Sequence, residues 1–435
     1  MHCLENIKSL TISNDHLSPQ ISKELLIGHS DLFFVVDIKY FYKNHLQNES
    51  CLYICTCKTQ ANLGNYILLS MEALKIFEPY SLNGLRLNNR IVMAPMTRSR
   101  SANPGNVATD LTALYYKQRA SAGLIITEGT FTSKEAIGVV NVPGIYTNEQ
   151  IQGWKLTTNA VHNEGGKIFA QLWHTGAYSH PDLHDGNKPL APSDVNPDQQ
   201  VFTQSGFKPS QSPQPMLLED IERTIIDFKQ AAINAFKAGF DGIELHGANG
   251  YLLQQFFSKN SNHREDEYGG SVEKRARILF DILDELKAVV DISRVAVRLN
   301  PSLNGIMGIL VDDETIALYE YIVKRLNDYG LAYIHLIEPF TDVSAIPDAI
   351  PEVAKHFRKI YQGNLIINRG FNKKTANEVM SKGDADLVSF GVPFIANPDL
   401  VNRFQTNAIL NQPDQATFYT PGEKGYTDYP FLSDN

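Results

Sequence analysis

The chain has 435 residues, of which 43% are hydrophobic and 20% are charged, and its 39 basic and 48 acidic residues give a formal net charge of −9. This composition is ordinary for a globular protein, and an acidic chain without a long basic run argues against nucleic acid or an anionic membrane as partner. No apolar stretch approaches the roughly 18 residues that are needed to span a bilayer, which argues against a membrane protein.

The four cysteines all lie near the start of the chain, at Cys3, Cys51, Cys55 and Cys57. The rest of the chain therefore holds no disulfide, no cysteine-bound zinc and no iron–sulfur cluster, and we expect no metal site. The CxxxCxC spacing from Cys51 to Cys57 matches no common zinc pattern. Because a body without cysteine needs no oxidising compartment, we predict a cytoplasmic protein.

Residues 1–70 differ from the rest of the chain, with no helical period, no glycine-bounded strands and no signal-peptide pattern. Beyond Met71, the pair Asn83-Gly84 between two leucines predicts a hairpin turn. We predict that the folded body comprises residues 71–435. We expect residues 1–70 to be a mobile extension or a segment absent from the natural product, and a small added module is the alternative.

From residue 90 onward, the chain repeats a short apolar run, a loop and an amphipathic helix. Eight runs rich in Ile and Val predict buried parallel strands, and they cover residues 91–96, 124–129, 167–172, 240–246, 294–299, 333–338, 364–368 and 385–391. Two of the helical segments carry one apolar face each: Ile221, Ile225, Phe228, Ala232 and Ala235 before Gly239, and Ala276, Leu279, Leu283, Leu286 and Val290.

Eight such units predict a (β/α)8 TIM barrel with an N-terminal hairpin cap. The connection from Tyr178 to Pro215, after strand 3, is much longer than the others and is expected to cover the mouth of the barrel. An open doubly wound sheet is the competing fold, but no GxGxxG follows any of the strands. Since active sites of TIM barrels lie at the C-terminal ends of the strands, candidate residues are sought there.

Three polar side chains follow strand 4 in the stretch LHGANGYLLQQF: His246, Asn249 and Tyr251. A His and an Asn can both donate to one carbonyl oxygen and polarise a conjugated C=O, as an oxyanion hole does, while a Tyr hydroxyl can supply a proton. The alternative is a structural His with satisfied hydrogen bonds and a Tyr that packs in the core. Spacing alone leaves both interpretations open.

Other strand ends carry groups that suit a flat anionic cofactor. Arg298 ends strand 5 inside an apolar run, so that it either meets a buried carboxylate or faces an anionic cofactor. The amide of Gln171 suits the edge of a flavin or nucleobase, and the hydroxyl of Thr97 can reach a ring. Gly370 and Gly391 end strands 7 and 8, the usual phosphate-binding corner of this fold. FMN meets this combined description.

The chain also carries several long motifs in one order: RIVMAPMTRSR, LIITEGTF, AQLWHTG, DGIELHGANGYLLQQF, DEYGGSVEKRAR, ADLVSFG and FIANPDLVNRF. They resemble the old yellow enzyme family of FMN-dependent ene-reductases, above all its bacterial N-ethylmaleimide-reductase-like members, from about Met71 to Tyr429. The resemblance implies an oxidoreductase with bound FMN and NAD(P)H as reductant. It further implies ping-pong hydride transfer to the C=C bond of activated alkenes, namely α,β-unsaturated carbonyls, imides and nitroalkenes.

The resemblance also implies roles for single residues. It assigns contacts with the flavin ring to five residues: Pro95, Thr97, Gly129, Gln171 and Arg298. His246 and Asn249 match the pair that binds the substrate carbonyl, and Tyr251 matches the proton donor. Trp173 and Tyr419 match residues that line the substrate pocket.

This chain departs from the family pattern at three positions. Arg369 ends strand 7 where the family usually has Gly, and Val392 follows Gly391 where the family usually has Arg or Lys. Val139 stands where the family usually has an aromatic residue. We hypothesise that Arg369 replaces the missing basic residue and contacts the FMN phosphate. The alternative is that Arg369 points into solvent and backbone N–H groups hold the phosphate alone.

The expected partners are NAD(P)H and an activated alkene, with no nucleic acid and no membrane, and the protein is either a monomer or a homo-oligomer. Two other functions stay open. A flavin-free barrel hydrolase or isomerase would leave Thr97, Gln171 and Arg298 unexplained. A non-catalytic flavin-binding or partner-binding protein would have residues 1–70 as its working part. Iron–sulfur-containing relatives are excluded because the body has no cysteine.

Overall fold

The computed structural model of the protein describes residues 22–29, 32–40, 52–58, 65–70 and 74–434, and the chain divides into two compact units, Met1–Leu74 and Lys75–Asn435. In the first unit, four strands form an antiparallel sheet in chain order: β1 (Ser22–His29), β2 (Leu32–Tyr40), β3 (Leu52–Lys58) and β4 (Asn65–Ser70). The sequence pattern did not indicate these strands. Other residues before 74 lie outside the described residues, so the nature of residues 1–70 stays a prediction.

The second unit begins with the predicted hairpin. Strands β5 (Tyr80–Leu82) and β6 (Leu85–Leu87) pair antiparallel around Asn83 and Gly84, whose φ angles are 47° and 83°. Both residues adopt the left-handed conformation that a two-residue hairpin turn requires. Leu82 and Leu87 are fully buried against the apolar residues at the start of the barrel strands, so the hairpin caps the N-terminal end of the barrel.

The predicted barrel is confirmed. The remaining strands are β7 (Ile91–Met93), β8 (Leu124–Phe131), β9 (Ile168–Trp173), β10 (Leu190–Ala191), β11 (Gln200–Thr203), β12 (Gly206–Pro209), β13 (Gln214–Pro215), β14 (Gly242–Gly247), β15 (Val295–Leu299), β16 (Tyr333–Ile337), β17 (Leu365–Asn368) and β18 (Leu387–Phe390). Parallel pairing runs in the order β7-β8-β9-β14-β15-β16-β17-β18, and β18 pairs with β7 to close the barrel. Each of the eight predicted runs thus forms one barrel strand.

The α-helices lie between the barrel strands and after the last strand: α1 (Asp110–Lys117), α2 (Asn148–Asn163), α3 (Leu218–Lys237), α4 (Leu252–Phe257), α5 (Val272–Lys287), α6 (Thr315–Leu326), α7 (Val353–Arg358), α8 (Lys373–Ser381), α9 (Val392–Ala396) and α10 (Leu400–Thr406). Short 3-10 turns cover Lys75–Phe77, Pro181–Leu183, Ile292–Arg294, Gln415–Thr417 and Leu432–Asp434. The predicted faces of α3 and α5 are buried, except that Val290 lies beyond the end of α5. None of the helices in the described residues is long and apolar enough to cross a membrane.

The long connection after β9 contains two small pairs of strands, β10 with β13 and β11 with β12. Its residues Leu183 and Val201 form an apolar cluster with Val140, which follows β8. The ring of Tyr178, at the start of this connection, lies 5.9 Å from the ring of Tyr251. The connection therefore reaches the C-terminal end of the barrel, as the sequence predicted.

Candidate active site

A cavity of about 200 Å³ lies at the C-terminal ends of the barrel strands. Ten residues line it: Pro95, Thr97, Gly129, Gln171, Trp173, His246, Asn249, Tyr251, Arg298 and Tyr419. Every one of these residues was singled out from the sequence as a candidate for the site. The structure thus brings together residues that are up to 324 positions apart in the chain, while the role of each stays a prediction.

Strand register explains why these side chains meet. Gln171 and Trp173 are two residues apart on β9, and successive side chains of a strand alternate between its faces, so both point to the same side. His246 on β14 lies directly beside Arg298 on β15 in the parallel pairing. Their side chains therefore emerge next to each other at the mouth of the barrel.

The turn after β14 places Asn249 and Tyr251 on the cavity. Asn249 and Gly250 have φ angles of 56° and 80°, in the left-handed region that favours glycine. At position 250 a Cβ atom would lie 2.3 Å from the Cβ of Met307, so only glycine fits there. The amide Nδ2 of the buried Asn300 donates to Oδ1 of Asn249 at 3.2 Å, which leaves Nδ2 of Asn249 available to a ligand.

Aromatic rings enclose the side chain of Tyr251. Its ring stands nearly perpendicular to those of Trp173 and His246, with centroid distances of 4.8 and 4.9 Å. Trp173 in turn stacks on Phe131 at 5.1 Å. A Cβ atom at Gly129 would lie 2.3 Å from the Trp173 ring, so glycine at this position allows the tryptophan to pack against β8. The phenol is thus held in an edge-on arrangement by packed rings.

The same enclosure sets the protonation states. Burial lowers the pKa of His246 well below its usual value, and the positive charge of Arg298 acts in the same direction. Burial also raises the pKa of Tyr251. At neutral pH the imidazole is therefore uncharged and the phenol keeps its proton, so one can donate a hydrogen bond and the other can act as an acid.

Three buried polar atoms at the cavity have no hydrogen-bond partner within the described part of the chain. They are Nε of Arg298, Nδ1 of His246 and Nε1 of Trp173. Buried polar groups in folded proteins nearly always have a partner. Their convergence on one cavity indicates a site for a polar ligand.

Comparisons with known proteins identify the family to which the barrel belongs. A profile of the NADH:flavin oxidoreductase / NADH oxidase family matches residues 75–411. The solved structure of the old yellow enzyme homologue from Zymomonas mobilis superimposes with a TM-score of 0.78 and 40% identity, over 82% of this chain and 100% of that one. This chain belongs to the old yellow enzyme family.

Other relatives cover the same region. 12-Oxophytodienoate reductase 1 from Oryza sativa subsp. japonica is 41% identical over 368 residues, which span 83% of this chain and 94% of the relative. Morphinone reductase superimposes with a TM-score of 0.78 and 41% identity, over 84% of this chain and 98% of its own. As a member of the old yellow enzyme family, the protein is an oxidoreductase of the ene-reductase type with FMN as cofactor and NAD(P)H as reductant.

The described residues fit FMN. A second cavity of about 250 Å³ adjoins the first and shares Pro95, Thr97, Arg298 and Tyr419 with it, so the two together offer an elongated space. Arg298, which donates from Nη2 to Oδ1 of Asn368 at 3.0 Å, lies between them with Nε unused. A cation and unused N–H donors suit a cofactor that is anionic and rich in carbonyl oxygens.

The residues that were predicted to bind the phosphate do not all lie at one cavity. Gly391 lines the second cavity, whereas Arg369 and Gly370 line a separate groove of about 510 Å³. The exposed guanidinium of Arg369 donates to the carbonyl oxygens of Pro339 (3.3 Å) and Phe340 (2.7 Å). This placement does not support the hypothesised contact between Arg369 and the phosphate, and it agrees with the alternative of an outward-pointing side chain.

The segment that carries Tyr419 is held by two arginines that sequence reasoning missed. Arg98 donates from Nε to the carbonyl oxygen of Phe418 at 3.1 Å. Arg100 donates to the carbonyl oxygens of Phe418 and Thr417 at 2.6 and 2.7 Å. Tyr419 itself is 58% exposed, so these bonds to its neighbours keep it at the cavity. The available signal was the pair of arginines directly after Thr97.

Two further residues at the site were also missed. The hydroxyl of Tyr178 donates to the carbonyl oxygen of Gln200 at 3.0 Å, which ties the long connection to a ring beside Tyr251. Glu244 accepts a hydrogen bond from Nε2 of Gln171 at 2.8 Å. Glu244 could have been found from the sequence, because it is a carboxylate inside a buried strand, two residues before His246 and therefore on the same face.

Proposed function

We propose that this protein reduces the C=C bond of activated alkenes, namely α,β-unsaturated carbonyls, imides and nitroalkenes, at the expense of NAD(P)H. The observation that carries the proposal is the presence of His246, Asn249 and Tyr251 around one cavity, as two hydrogen-bond donors and a protonated acid. The relatives named above are a reductase of 12-oxophytodienoate and morphinone reductase, and the latter has also been solved with tetrahydroNAD.

The substrate carbonyl is proposed to bind between His246 and Asn249. A neutral imidazole has one N–H to donate, and Asn249 has its Nδ2 free because Asn300 donates to its Oδ1. Two donors on one oxygen withdraw electrons from the conjugated C=C bond and stabilise the negative charge that develops on the oxygen. The β-carbon thereby becomes the electrophilic position.

Tyr251 is proposed to protonate the α-carbon. Because burial raises its pKa, the phenol keeps its proton until negative charge develops next to it. Trp173, Tyr178 and Tyr419 limit the access of water to this proton and shape the space for the alkene. When FMN is bound, it supplies the hydride chemistry between NAD(P)H and the alkene, so one site can serve both substrates in turn.

Two other functions had stayed open on the sequence. Family membership decides against a flavin-free hydrolase or isomerase. The grouping of His246, Asn249 and Tyr251 argues against a flavin-binding protein without catalysis, since binding alone has no need of an acid that is positioned beside two carbonyl donors.

We further propose that the barrel unit, Lys75–Asn435, carries the activity in the cytoplasm and that residues 1–70 are an extension that catalysis does not require. The family match to residues 75–411 supports this division. Removal of residues 1–70 is expected to leave the FMN content per chain and the rate of NADPH oxidation unchanged. A lower FMN content or rate in the shortened protein would show that the N-terminal unit takes part.

The test of the proposed reaction separates the two half-reactions. The enzyme is reduced with one equivalent of NADPH without oxygen and is then mixed with 2-cyclohexenone, or with cyclohexanone as the saturated control. We expect the visible absorption of oxidised flavin to return only with the enone, and cyclohexanone to accumulate as product. Reduced enzyme that enones, maleimides and nitroalkenes all fail to re-oxidise would contradict the proposal.

A further inference from the structure

Beneath the cavity, a row of buried polar side chains crosses the interior of the barrel. Glu244 on β14 is completely buried, and both of its carboxylate oxygens have partners. Oε1 accepts from Nε2 of Gln171 at 2.8 Å, and Oε2 lies 2.8 Å from Nδ1 of His335. Nε2 of His335 lies 2.8 Å from the hydroxyl of Ser389 on β18. None of this row except Gln171 lines the cavity.

A carboxylate at this depth is costly unless charge and hydrogen bonds compensate for the loss of water. Burial acts to raise the pKa of Glu244, but His335, Arg298 and Gln171 more than offset this and hold it below the usual range. Burial lowers the pKa of His335. Glu244 is therefore a carboxylate at neutral pH, and a neutral His335 donates to it from Nδ1.

The carboxylate determines which way the amide of Gln171 points. An ionised carboxylate accepts hydrogen bonds and cannot donate them, so Gln171 must turn its NH2 group toward Glu244. This leaves the amide oxygen of Gln171, together with the second N–H of its NH2 group, for a ligand in the cavity. Without Glu244, either end of the amide could face the ligand.

The same carboxylate also offsets positive charge at the cavity. Arg298 lines both cavities and lies beside His246 in the pairing of β14 with β15, and Glu244 is two residues before His246 on the same face. The charge of Arg298 accordingly lowers the pKa of Glu244. Since this coupling is mutual, the negative charge of Glu244 reduces the positive potential that Arg298 presents to a cofactor. The described residues that line the first cavity include no carboxylate of their own.

We propose that Glu244 is a positioning residue of the flavin site, which fixes the orientation of the Gln171 amide and, by offsetting Arg298, sets the reduction potential of FMN. The inference rests on the proposed flavin contacts of Gln171 and Arg298. It does not depend on which alkene is the substrate.

The direction of the effect follows from charge. Reduction adds negative charge to the flavin ring system, so a positive surrounding favours the reduced form and a negative one disfavours it. Replacing Glu244 by a neutral residue of the same size removes one negative charge beneath the cavity. The potential should therefore move to a more positive value.

The experiment compares three variants of the full-length holoenzyme by FMN potential, from equilibration with a redox dye, and by FMN affinity of the apoprotein. Glu244→Gln should shift the two-electron equilibrium by about tenfold or more toward reduced FMN, which corresponds to ~30 mV. Glu244→Asp keeps the charge but is too short for both partners, so it should keep the parental potential and bind FMN roughly tenfold more weakly. Ser389→Ala disturbs the same row without changing charge or the Gln171 contact, and should match the parent in both measurements.

A parental potential in Glu244→Gln would overturn the proposal, as would an equal shift in Ser389→Ala. If Glu244→Gln no longer retains FMN, the comparison with Ser389→Ala decides. FMN that stays bound to Ser389→Ala supports the positioning role of Glu244, whereas loss of FMN from both variants would mean that the row of polar side chains only stabilises the fold. These measurements need no alkene. Failure of the wild-type protein to reduce enones would therefore count against the proposed reaction and leave this inference standing.

Discussion

The two sides of the barrel mouth are built differently. On the buried side, formed by Gln171, His246, Asn249, Tyr251 and Arg298, each side chain lines the cavity and is held by strand register, by packed rings or by a buried hydrogen-bond partner. The open side is formed by Arg369, Gly370 and Gly391.

On the open side, Arg369 and Gly370 are exposed and line a different groove, and Gly391 contributes only backbone. The difference teaches that enclosed side chains can be placed at a site from residue type and position at a strand end, while their roles stay predictions. Ligand contacts that are made by backbone groups or by exposed side chains are harder to predict from the sequence. Variants on the two sides should therefore have effects of different size.

The largest effect is expected on the buried side, from Tyr251→Phe. General acid catalysis contributes roughly 10²–10⁴-fold, so re-oxidation of reduced flavin by 2-cyclohexenone should slow by that factor, while reduction by NADPH stays unchanged. Stopped-flow absorbance measures both half-reactions. The matched control is Tyr178→Phe, whose ring lies 5.9 Å away and whose hydroxyl bonds to a backbone carbonyl. If both variants re-oxidise at the parental rate, Tyr251 is not the proton donor.

The second-largest effect is expected in the pH dependence of stability, from the variant Glu128→Gln. Glu128, in β8, accepts a hydrogen bond from the backbone N–H of Arg98 at 3.1 Å, and burial raises its pKa to about 7. This pKa lies above the pKa of Glu128 in the unfolded chain, so between about pH 4.5 and 7 the folded protein holds a proton on Glu128 that the unfolded chain has lost. The free energy of unfolding therefore falls as the pH rises through this range. The share of Glu128 in this fall is on the order of 3 kcal/mol.

Glu128→Gln should remove this part of the pH dependence, measured as the difference in thermal unfolding temperature between pH 5 and pH 8. The control is Glu352→Gln in the groove of the open side, where the carboxylate is exposed and salt-bridged to Lys355. A variant at position 128 with the full parental pH dependence would show that Glu128 is ionised in the folded protein across this range.

A smaller effect is expected from the carbonyl pair. His246→Ala and Asn249→Ala each remove one donor to a charged oxygen, which should cost about 1.5–3 kcal/mol in the binding of a phenol. Titration of the charge-transfer absorption between phenolate and flavin gives the dissociation constant. Arg369→Gly on the open side should leave this constant unchanged. Parental phenol affinity in both alanine variants would place the ligand oxygen elsewhere in the cavity.

The smallest effect is expected from Arg369→Gly itself. Its guanidinium bonds to two carbonyl oxygens outside both cavities, so FMN affinity should change by no more than about 0.5 kcal/mol, as for an ordinary surface substitution. Because the backbone of Arg369 has a φ of 84°, glycine should also relieve strain and raise the unfolding temperature slightly.

The double variant Arg369→Gly with Val392→Arg tests the opposite hypothesis. Weaker FMN binding in the single variant and recovery in the double would mean that Arg369 does contact the phosphate. It would also mean that a side chain on the open side binds the cofactor, as side chains on the buried side are proposed to do.

How much could be predicted differs from element to element. The eight barrel strands and the Asn83-Gly84 hairpin were predictable because apolar runs and turn residues act over a few neighbouring positions. The end of α5 was misjudged by including Val290, since an apolar residue in phase with a helix face does not show where the helix ends. The four strands before residue 71 carry no clear alternation of apolar and polar residues, and were missed for that reason.

By itself, the sequence predicted the barrel from local periodicity, and six of the ten residues that line the cavity from their places at strand ends. The family, and with it Pro95, Gly129, Trp173 and Tyr419, came from the resemblance of long motifs. Only the tertiary structure decided how those residues are held. Glu244 and Gln171, which are hydrogen-bonded to each other, lie 73 positions apart in the chain. The guanidinium of Arg369 donates to the carbonyl oxygens of Pro339 and Phe340 and does not line the cavity. The orientation of an amide, the partner of a buried charge and the direction of an exposed guanidinium depend on neighbours from distant segments, whose positions exist only once the barrel has closed.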